Sequence, residues 1–160
     1  MSLVIYSNPI KTGKSTSLFN WCYKQKKTIQ GFIMMEVNSQ KVIYNANNLQ
    51  PFVYPPSTNE IKIGSYVFDA SIFSAGNAHI IDCLKQNKFD IFCLDEIGKL
   101  ELQNNGWHNG LMAILEHEKQ NNQNLYLIIV RDYLIENVIS KYNLNNYLVI
   151  NSLEKLQQIK

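Results

Sequence analysis

Residues 3–16 read LVIYSNPIKTGKST, and this stretch carries the strongest local signal for the fold. Leu3–Tyr6 is a short run of strand-forming residues, and a helical spacing of apolar side chains follows from Lys14 onwards. The segment between them ends in Gly13-Lys14-Ser15, which matches the end of the pattern G-x-x-x-x-G-K-[ST]. Its position between a strand and a helix predicts a phosphate-binding loop, in which backbone N–H groups and the positive helix end surround a phosphate.

The predicted loop departs from the pattern at its first position, where Asn8 replaces glycine. Asparagine tolerates left-handed backbone geometry better than most residues, so we expect the loop to keep its shape. In such loops the lysine, here Lys14, meets the β- and γ-phosphates, and the next hydroxyl, here Ser15, binds Mg²⁺. The candidate phosphate-binding residues are Asn8, Pro9, Ile10, Lys11, Thr12, Gly13, Lys14, Ser15 and Thr16. The alternative interpretation is a strand-to-helix turn with a solvated lysine.

A second motif, Ile91-Phe92-Cys93-Leu94-Asp95-Glu96, places two adjacent carboxylates after four buried-type residues. Such a run is typical of a central strand with charge at its carboxyl end, where α/β sheets bind their ligands. We expect Asp95 to hold Mg²⁺ and Glu96 to align and deprotonate an attacking water. The alternative is a strand that leads into a solvated acidic turn.

Arg131 is the only arginine among the fifteen basic residues, and it directly follows the apolar run Leu125–Val130. If that run is a strand parallel to the Asp95 strand, Arg131 emerges at the same edge of the sheet. A planar guanidinium there suits the dispersed charge of a phosphoryl group in transfer. The alternative is a structural ion pair, for example with Asp132. The candidate catalytic residues are therefore Lys14, Glu96 and Arg131.

Further elements are predicted from periodicity and from turn-forming clusters of Asn, Pro and Gly. Strands are predicted at 3–6, 31–37, 41–44, 61–69, 90–94, 125–130 and 147–150, and helices at 14–27, 71–86, 107–119, 132–141 and after 152. This alternation favours a three-layer α/β fold with a mostly parallel central sheet. We expect a single domain over residues 1–160, with a β-ribbon insert at about residues 31–69.

Composition excludes several classes of function. The formal net charge is +2, which is too small to indicate nucleic acid as a partner. No apolar run approaches the ~18 residues of a membrane span, and the first residues lack a secretion signal. We therefore expect a cytoplasmic protein with no membrane partner. The cysteines at positions 22, 83 and 93 lack zinc-site spacing and are expected to be buried, reduced thiols.

The residues around these motifs resemble the thermophilic, or cancer-related, nucleoside-triphosphatase family. Residues 95–102, DEIGKLEL, resemble that family's "DEIGKME" segment. Residues 30–37 resemble its "GF-x-T-x-EV" stretch, and residues 63–67 resemble its "VGKY" strand. The similarity covers roughly residues 3–130. Asn8, Ile10 and Lys11 depart from the family's loop, which usually reads G-x-P-G-x-G-K-[ST].

The resemblance implies a RecA-like P-loop fold and slow, Mg²⁺-dependent hydrolysis of several nucleoside triphosphates, ATP and GTP among them. Two alternatives stay open from the sequence. One is a nucleotide or small-metabolite kinase, although a chain with one arginine is poorly equipped to clamp two anionic nucleotides. The other is a nucleotide-binding switch with little hydrolysis, which the altered loop suggests.

Three other residues have two interpretations each. Lys99 and Glu101 either support the site or belong to an exposed turn. Trp107 either stacks on a nucleotide base or anchors a helix.

Overall fold

The computed structural model describes residues 2–9 and 12–158. Its eight strands are β1 (Leu3–Tyr6), β2 (Ile29–Val37), β3 (Gln40–Asn45), β4 (Glu60–Ile63), β5 (Tyr66–Asp69), β6 (Ile91–Ile97), β7 (Leu125–Val130) and β8 (Tyr147–Ile150). Its five α-helices are α1 (Lys14–Lys24), α2 (Ser71–Gln86), α3 (Lys99–Leu102), α4 (His108–Gln120) and α5 (Ile135–Tyr142). Two 3₁₀ segments cover Asp132–Leu134 and Leu153–Gln158.

Six strands form the central sheet, in the order β3-β2-β6-β7-β1-β8. All neighbouring strands run parallel except the edge strand β3, which is antiparallel to β2. The strands β1, β7 and β6 are buried on both faces, which is why their sequences are nearly continuous apolar runs. This architecture confirms the predicted α/β fold with a mostly parallel sheet.

Alternating side chains of the parallel strands supply two separate cores. Leu3 and Ile5 point to the face that is covered by α2, α4 and α5. Val4 and Tyr6 point to the other face, which is covered by α1 and by the 3₁₀ segment Leu153–Gln158. The three layers follow directly from this period of two, because successive strand residues face opposite sides of the sheet.

The region 31–69 contains two hairpins with different positions, where the sequence suggested one inserted ribbon. The first half of β2 is part of the central sheet, since residues 29–32 pair with residues 91–94 of β6. Beyond this point β2 no longer pairs with β6 and continues in its pairing with β3. The strand predicted over 61–69 is broken at Gly64 into the hairpin β4–β5, because Gly64 has a φ of 60° and reverses the chain.

Among the described residues, none of the helices combines the length and the apolar character that crossing a lipid bilayer requires.

Candidate active site

Three neighbouring strands deliver the predicted site residues to one edge of the sheet. The strands β6, β7 and β1 are adjacent and parallel, so their carboxyl ends lie side by side. The predicted phosphate loop, residues 8–16 of the sequence, follows β1, whereas Asp95 and Glu96 lie near the end of β6. Arg131 follows β7, the strand between the other two. The parallel arrangement that the sequence argument for Arg131 required is therefore present.

The described part of the phosphate loop is held by its own side chains. The Nζ of Lys14 donates hydrogen bonds to the carbonyl oxygens of Asn8, at 2.8 Å, and Pro9, at 3.0 Å. The hydroxyl of Thr12 donates to the carbonyl oxygen of Pro9 at 2.7 Å. Gly13 precedes α1 in the left-handed conformation, with a φ of 76°, which glycine adopts without strain. The side chain of Lys14 thus lies against the loop with which it is expected to bind phosphate.

The candidate phosphate-binding residues Ile10 and Lys11 lie outside the described residues.

Asn8 has a different structural role from the one expected. Its φ is not positive, so tolerance of left-handed geometry does not explain asparagine at this position. Its side-chain amide donates a hydrogen bond to the carbonyl oxygen of Asn151 at 2.8 Å. Asn151 directly follows β8, so this bond ties the start of the phosphate loop to the neighbouring edge strand.

Asp95 is buried, with 1% of its surface exposed, and each of its carboxylate oxygens accepts a backbone hydrogen bond. One comes from the N–H of Met34 at 3.1 Å, and the other from the N–H of Glu96 at 2.8 Å. Burial and the adjacent charge of Glu96 raise the pKa of Asp95 to about 6, although Ser15 and both N–H groups act in the opposite direction. Asp95 is thus a fixed carboxylate whose negative charge is incompletely compensated.

Glu96 lies at a β-bulge. Between Leu94 and Ile97, β6 advances three residues while β7 advances two, so β6 contains one extra residue. Glu96 has a φ of 62°, a left-handed conformation that is strained for glutamate. Bulges and strained backbone at the end of a central strand are typical of sites that must aim one side chain. Here the bulge directs the side chain of Glu96 into the cavity at this edge.

Two cations hold the carboxylate of Glu96. The Nζ of Lys41 lies 3.0 Å from its Oε1, and the Nη2 of Arg131 lies 3.2 Å from its Oε2. Burial opposes ionisation of Glu96, but the two cations outweigh burial and lower the pKa of the carboxyl below its usual value. Glu96 is therefore ionised at neutral pH. The ion pair that the sequence suggested between Arg131 and Asp132 is replaced by this pair with Glu96.

Sequence reasoning missed Lys41, which lies on β3. Its side chain is 15% exposed, and its Nζ lies 5.3 Å from the centre of the Tyr66 ring. The hydroxyl of Tyr66 in turn donates a hydrogen bond to the carboxylate of Glu36. Lysine is abundant in this chain, so nothing in the local sequence distinguishes Lys41. The one signal that could have drawn attention to Lys41 is its position opposite Glu36 in the β2–β3 hairpin.

These side chains line one open cavity of about 390 Å³. Among the described residues, its wall contains Thr12, Gly13, Lys14, Ser15, Thr16, Met34, Met35, Glu36, Lys41, Tyr66, Asp95, Glu96, Ile129 and Arg131. The cavity therefore brings together the predicted lysine, hydroxyl, carboxylates and arginine. Asn8 and Pro9 do not line the cavity. They are connected to it through Lys14, whose Nζ donates hydrogen bonds to their carbonyl oxygens.

Ser15 and Asp95 fit the proposed magnesium site. A hydroxyl and a carboxylate are hard oxygen donors, which is the type of ligand that Mg²⁺ prefers. Both line the same cavity. The incompletely compensated charge of Asp95 also favours a cation at this point.

The segment after β6 is fixed from inside the protein by Glu101. This residue is only 2% exposed, and its carboxylate accepts hydrogen bonds from the N–H groups of Gly98 and Trp107, both at 2.8 Å. Lys99 is exposed. Of the two interpretations, the supporting role therefore applies to Glu101, whereas Lys99 is an exposed residue at the start of α3.

Trp107 does not stack on a nucleotide base. It is 1% exposed and packs parallel to the ring of Phe32, with the ring centres 5.2 Å apart. It is the anchor of α4, which was the second interpretation.

The cysteines at positions 22, 83 and 93 are buried and free, as predicted.

Comparisons with known proteins agree with the fold and the motifs. The chain is similar in structure to THEP1 from the hyperthermophile Aquifex aeolicus, with a TM-score of 0.61 and 19% sequence identity. The similarity covers 99% of this chain and 94% of that chain, and at this identity it bears on the fold alone. No functionally curated protein matches the chain. A model of the NTPase family matches residues 4–152, and the chain therefore belongs to the NTPase family.

Proposed function

We propose that the chain hydrolyses nucleoside triphosphates to nucleoside diphosphate and phosphate, in a Mg²⁺-dependent reaction with broad base specificity. Family membership supports a nucleotide substrate. The observation that carries the proposal is the position of Glu96, an ionised carboxylate on a strained bulge in a cavity that also contains Lys14, Ser15 and Arg131.

In this proposal water attacks the γ-phosphorus while the bond from that phosphorus to the bridging oxygen of the diphosphate breaks. Glu96 accepts the proton of the water, and the diphosphate leaves with the bridging oxygen. Lys14 and the loop N–H groups bind the β- and γ-phosphates. Arg131 stabilises the charge on the transferring group, because its two nitrogen donors match a spread of negative charge over oxygens.

Ser15 and Asp95 are the residues that would hold Mg²⁺, which when bound neutralises charge on the β- and γ-phosphate oxygens. Broad base specificity rests on the family resemblance of the sequence. A cytoplasmic location and a reaction without a nucleic-acid partner stay predictions from composition.

The test is phosphate release from ATP, GTP, CTP and UTP, each with and without Mg²⁺. We expect release from all four in the presence of Mg²⁺ and almost none with excess chelator. Glu96→Gln serves as the control, because the amide keeps the size of the side chain but cannot accept the proton. Its turnover should fall by about 10²-fold or more, while nucleotide binding is retained. Turnover equal to that of the wild type would contradict the assignment of Glu96.

Phosphoryl transfer to a small neutral hydroxyl compound is the second candidate function. A cavity of about 110 Å³ adjoins the first and shares Lys41, Glu96 and Arg131 with it. Aromatic side chains from β5 and α2 line it together with Trp107, which directly precedes α4. An acceptor placed there would meet Glu96, which lines both cavities. Stoichiometric phosphate release without any acceptor would favour hydrolysis, and release that depends on added alcohol would favour transfer.

A nucleotide-binding switch predicts a third result when phosphate release is measured together with binding. The wild type would bind Mg²⁺·ATP in calorimetry, yet its turnover would not exceed that of Glu96→Gln.

A further inference from the structure

Lys41 stands out among the residues of the cavity because the position of its strand gives no reason for it to reach the site. Strand β3 is the outermost strand of the sheet, two strands away from β6. The Lys41 side chain nevertheless lies against the ring of Tyr66, and its Nζ is 3.0 Å from Glu96. A lysine that is 15% exposed loses most of its hydration, so such a position requires strong compensation.

The pair with Glu96 uses only part of the capacity of Lys41. An ammonium group has three donors and no acceptor, and Lys41 has one described hydrogen bond, to Glu96. Arg131 already supplies a second positive charge to the same carboxylate. Neutralising Glu96 therefore does not by itself account for two cations. Lys41 and Arg131 contact different oxygens of the carboxylate, so Glu96 has a positive group at each of its two oxygens.

The order of the strands shows which part of a triphosphate would meet Lys41. Across the edge of the sheet lie in turn Lys41 from β3, Glu96 from β6, Arg131 from β7 and the phosphate loop after β1. A triphosphate bound by the loop and reacting at Glu96 has its γ-phosphate at the Glu96 end of the cavity. Lys41 lies at this end, 3.0 Å from Glu96, and lines the same cavity as Lys14 and Arg131. A diphosphate, which lacks the γ-phosphate, does not extend to this position.

We propose that Lys41 binds the γ-phosphate and makes the site selective for triphosphates over diphosphates. Before substrate binds, Lys41 and Arg131 together occupy both oxygens of Glu96. The arriving γ-phosphate competes for Lys41 as a more highly charged partner, so Oε1 of Glu96 becomes free to accept a proton from water. Lys41 thus couples the presence of the γ-phosphate to the release of the base. This inference rests on the proposed function.

The test compares affinities for Mg²⁺·ADP and for a non-hydrolysable Mg²⁺·ATP analogue in calorimetry. We expect Lys41→Met to lose about tenfold in affinity for the triphosphate analogue, as for removal of a charge-assisted hydrogen bond, and less than twofold for the diphosphate. Lys41→Arg keeps the charge and should restore most of the selectivity. Lys62→Met is the matched control, because it removes an exposed positive charge from the nearby strand β4 and leaves the cavity intact.

Equal losses for the two nucleotides, or a lower melting temperature with unchanged affinities, would show that Lys41 only fixes the hairpin and would overturn the inference. If Lys41→Met does not fold, Lys41→Gln, which keeps a polar end group, replaces it in the same comparison. The binding measurement needs no turnover. Selective loss of triphosphate affinity in a chain that releases no phosphate would therefore refute hydrolysis and still support the role of Lys41.

Discussion

The guanidinium of Arg131 and the carboxylate of Glu96 meet at 3.2 Å and join the ends of two neighbouring parallel strands, β7 and β6. The two residues are 35 positions apart, so local sequence does not bring them together. The pair places the only arginine of the chain beside the proposed base. It is also open to substrate, because 41% of the Arg131 side chain is exposed.

Replacement of Arg131 should affect the reaction more than the stability. We expect Arg131→Ala to lower turnover by about 10²-fold, the usual effect of losing one donor to a developing negative charge. Glu96 keeps its ion pair with Lys41, so loss of the partly exposed pair with Arg131 should change the free energy of unfolding by only about 1 kcal/mol. Steady-state kinetics and thermal melting measure the two effects.

Arg131→Lys should stay impaired, because it keeps the charge but loses the planar pair of donors. Lys119→Ala is a suitable control, since it removes a cation from an exposed pair on α4. A lower melting temperature with unchanged turnover would contradict a role of Arg131 in the reaction.

Lys14→Ala should weaken binding of Mg²⁺·ATP by at least about tenfold, because a charged donor to phosphate is lost. The fold should be retained, since the hydrogen bonds of the Lys14 ammonium to the described residues go to carbonyl oxygens of its own loop. Calorimetry gives the affinity, and far-ultraviolet circular dichroism checks the fold. Lys24→Ala, at the exposed end of the same helix, should bind like the wild type. Unchanged affinity of Lys14→Ala would refute the phosphate-loop assignment.

Asn8→Gly should destabilise the protein, although glycine is the usual residue at this position of the motif. The substitution removes the hydrogen bond from Asn8 to Asn151, and it adds backbone freedom to the unfolded chain. We expect the free energy of unfolding to fall by about 1 kcal/mol, measured by urea denaturation. An unchanged or higher midpoint would mean that the bond to Asn151 contributes nothing and that the backbone of residue 8 favours glycine.

Glu101 should make stability depend on pH near neutrality. Burial raises the pKa of Glu101 to about 7 from its ordinary value of 4.5, although hydrogen bonds from backbone N–H groups act in the opposite direction. A carboxyl with a higher pKa in the folded state contributes most to stability below the unfolded pKa, and this contribution is lost as pH rises towards 7.

Glu101→Gln removes this titration and provides the comparison. We expect the difference in unfolding free energy, wild type minus variant, to decrease by about 2 to 3 kcal/mol between pH 4.5 and pH 8. Urea denaturation at several pH values measures it. The variant should be less stable throughout most of this range, because an amide offers one acceptor where the carboxylate accepts two N–H groups. A difference that is constant with pH would show that Glu101 does not titrate in this range.

Much of the fold was determined by local sequence. The strand Leu125–Val130 and the helix Ser71–Gln86 have the bounds that their apolar patterns predict. The two motifs were equally visible, because a phosphate loop and an acidic strand end are each built from adjacent residues. Since both follow parallel strands, the sequence also implied that they meet at one edge.

The partners of the motifs were decided only by the tertiary structure. The N–H of Met34 binds Asp95 across 61 positions, and the Nζ of Lys41 binds Glu96 across 55. Both contacts depend on how far β2 extends beyond β6 and on the register of the β2–β3 hairpin. The burial of Glu101 likewise depends on packing of the segment between β6 and α4. Local patterns indicate which residues favour a strand or a turn. Contacts between distant residues depend instead on strand register and core packing, and these involve the whole chain.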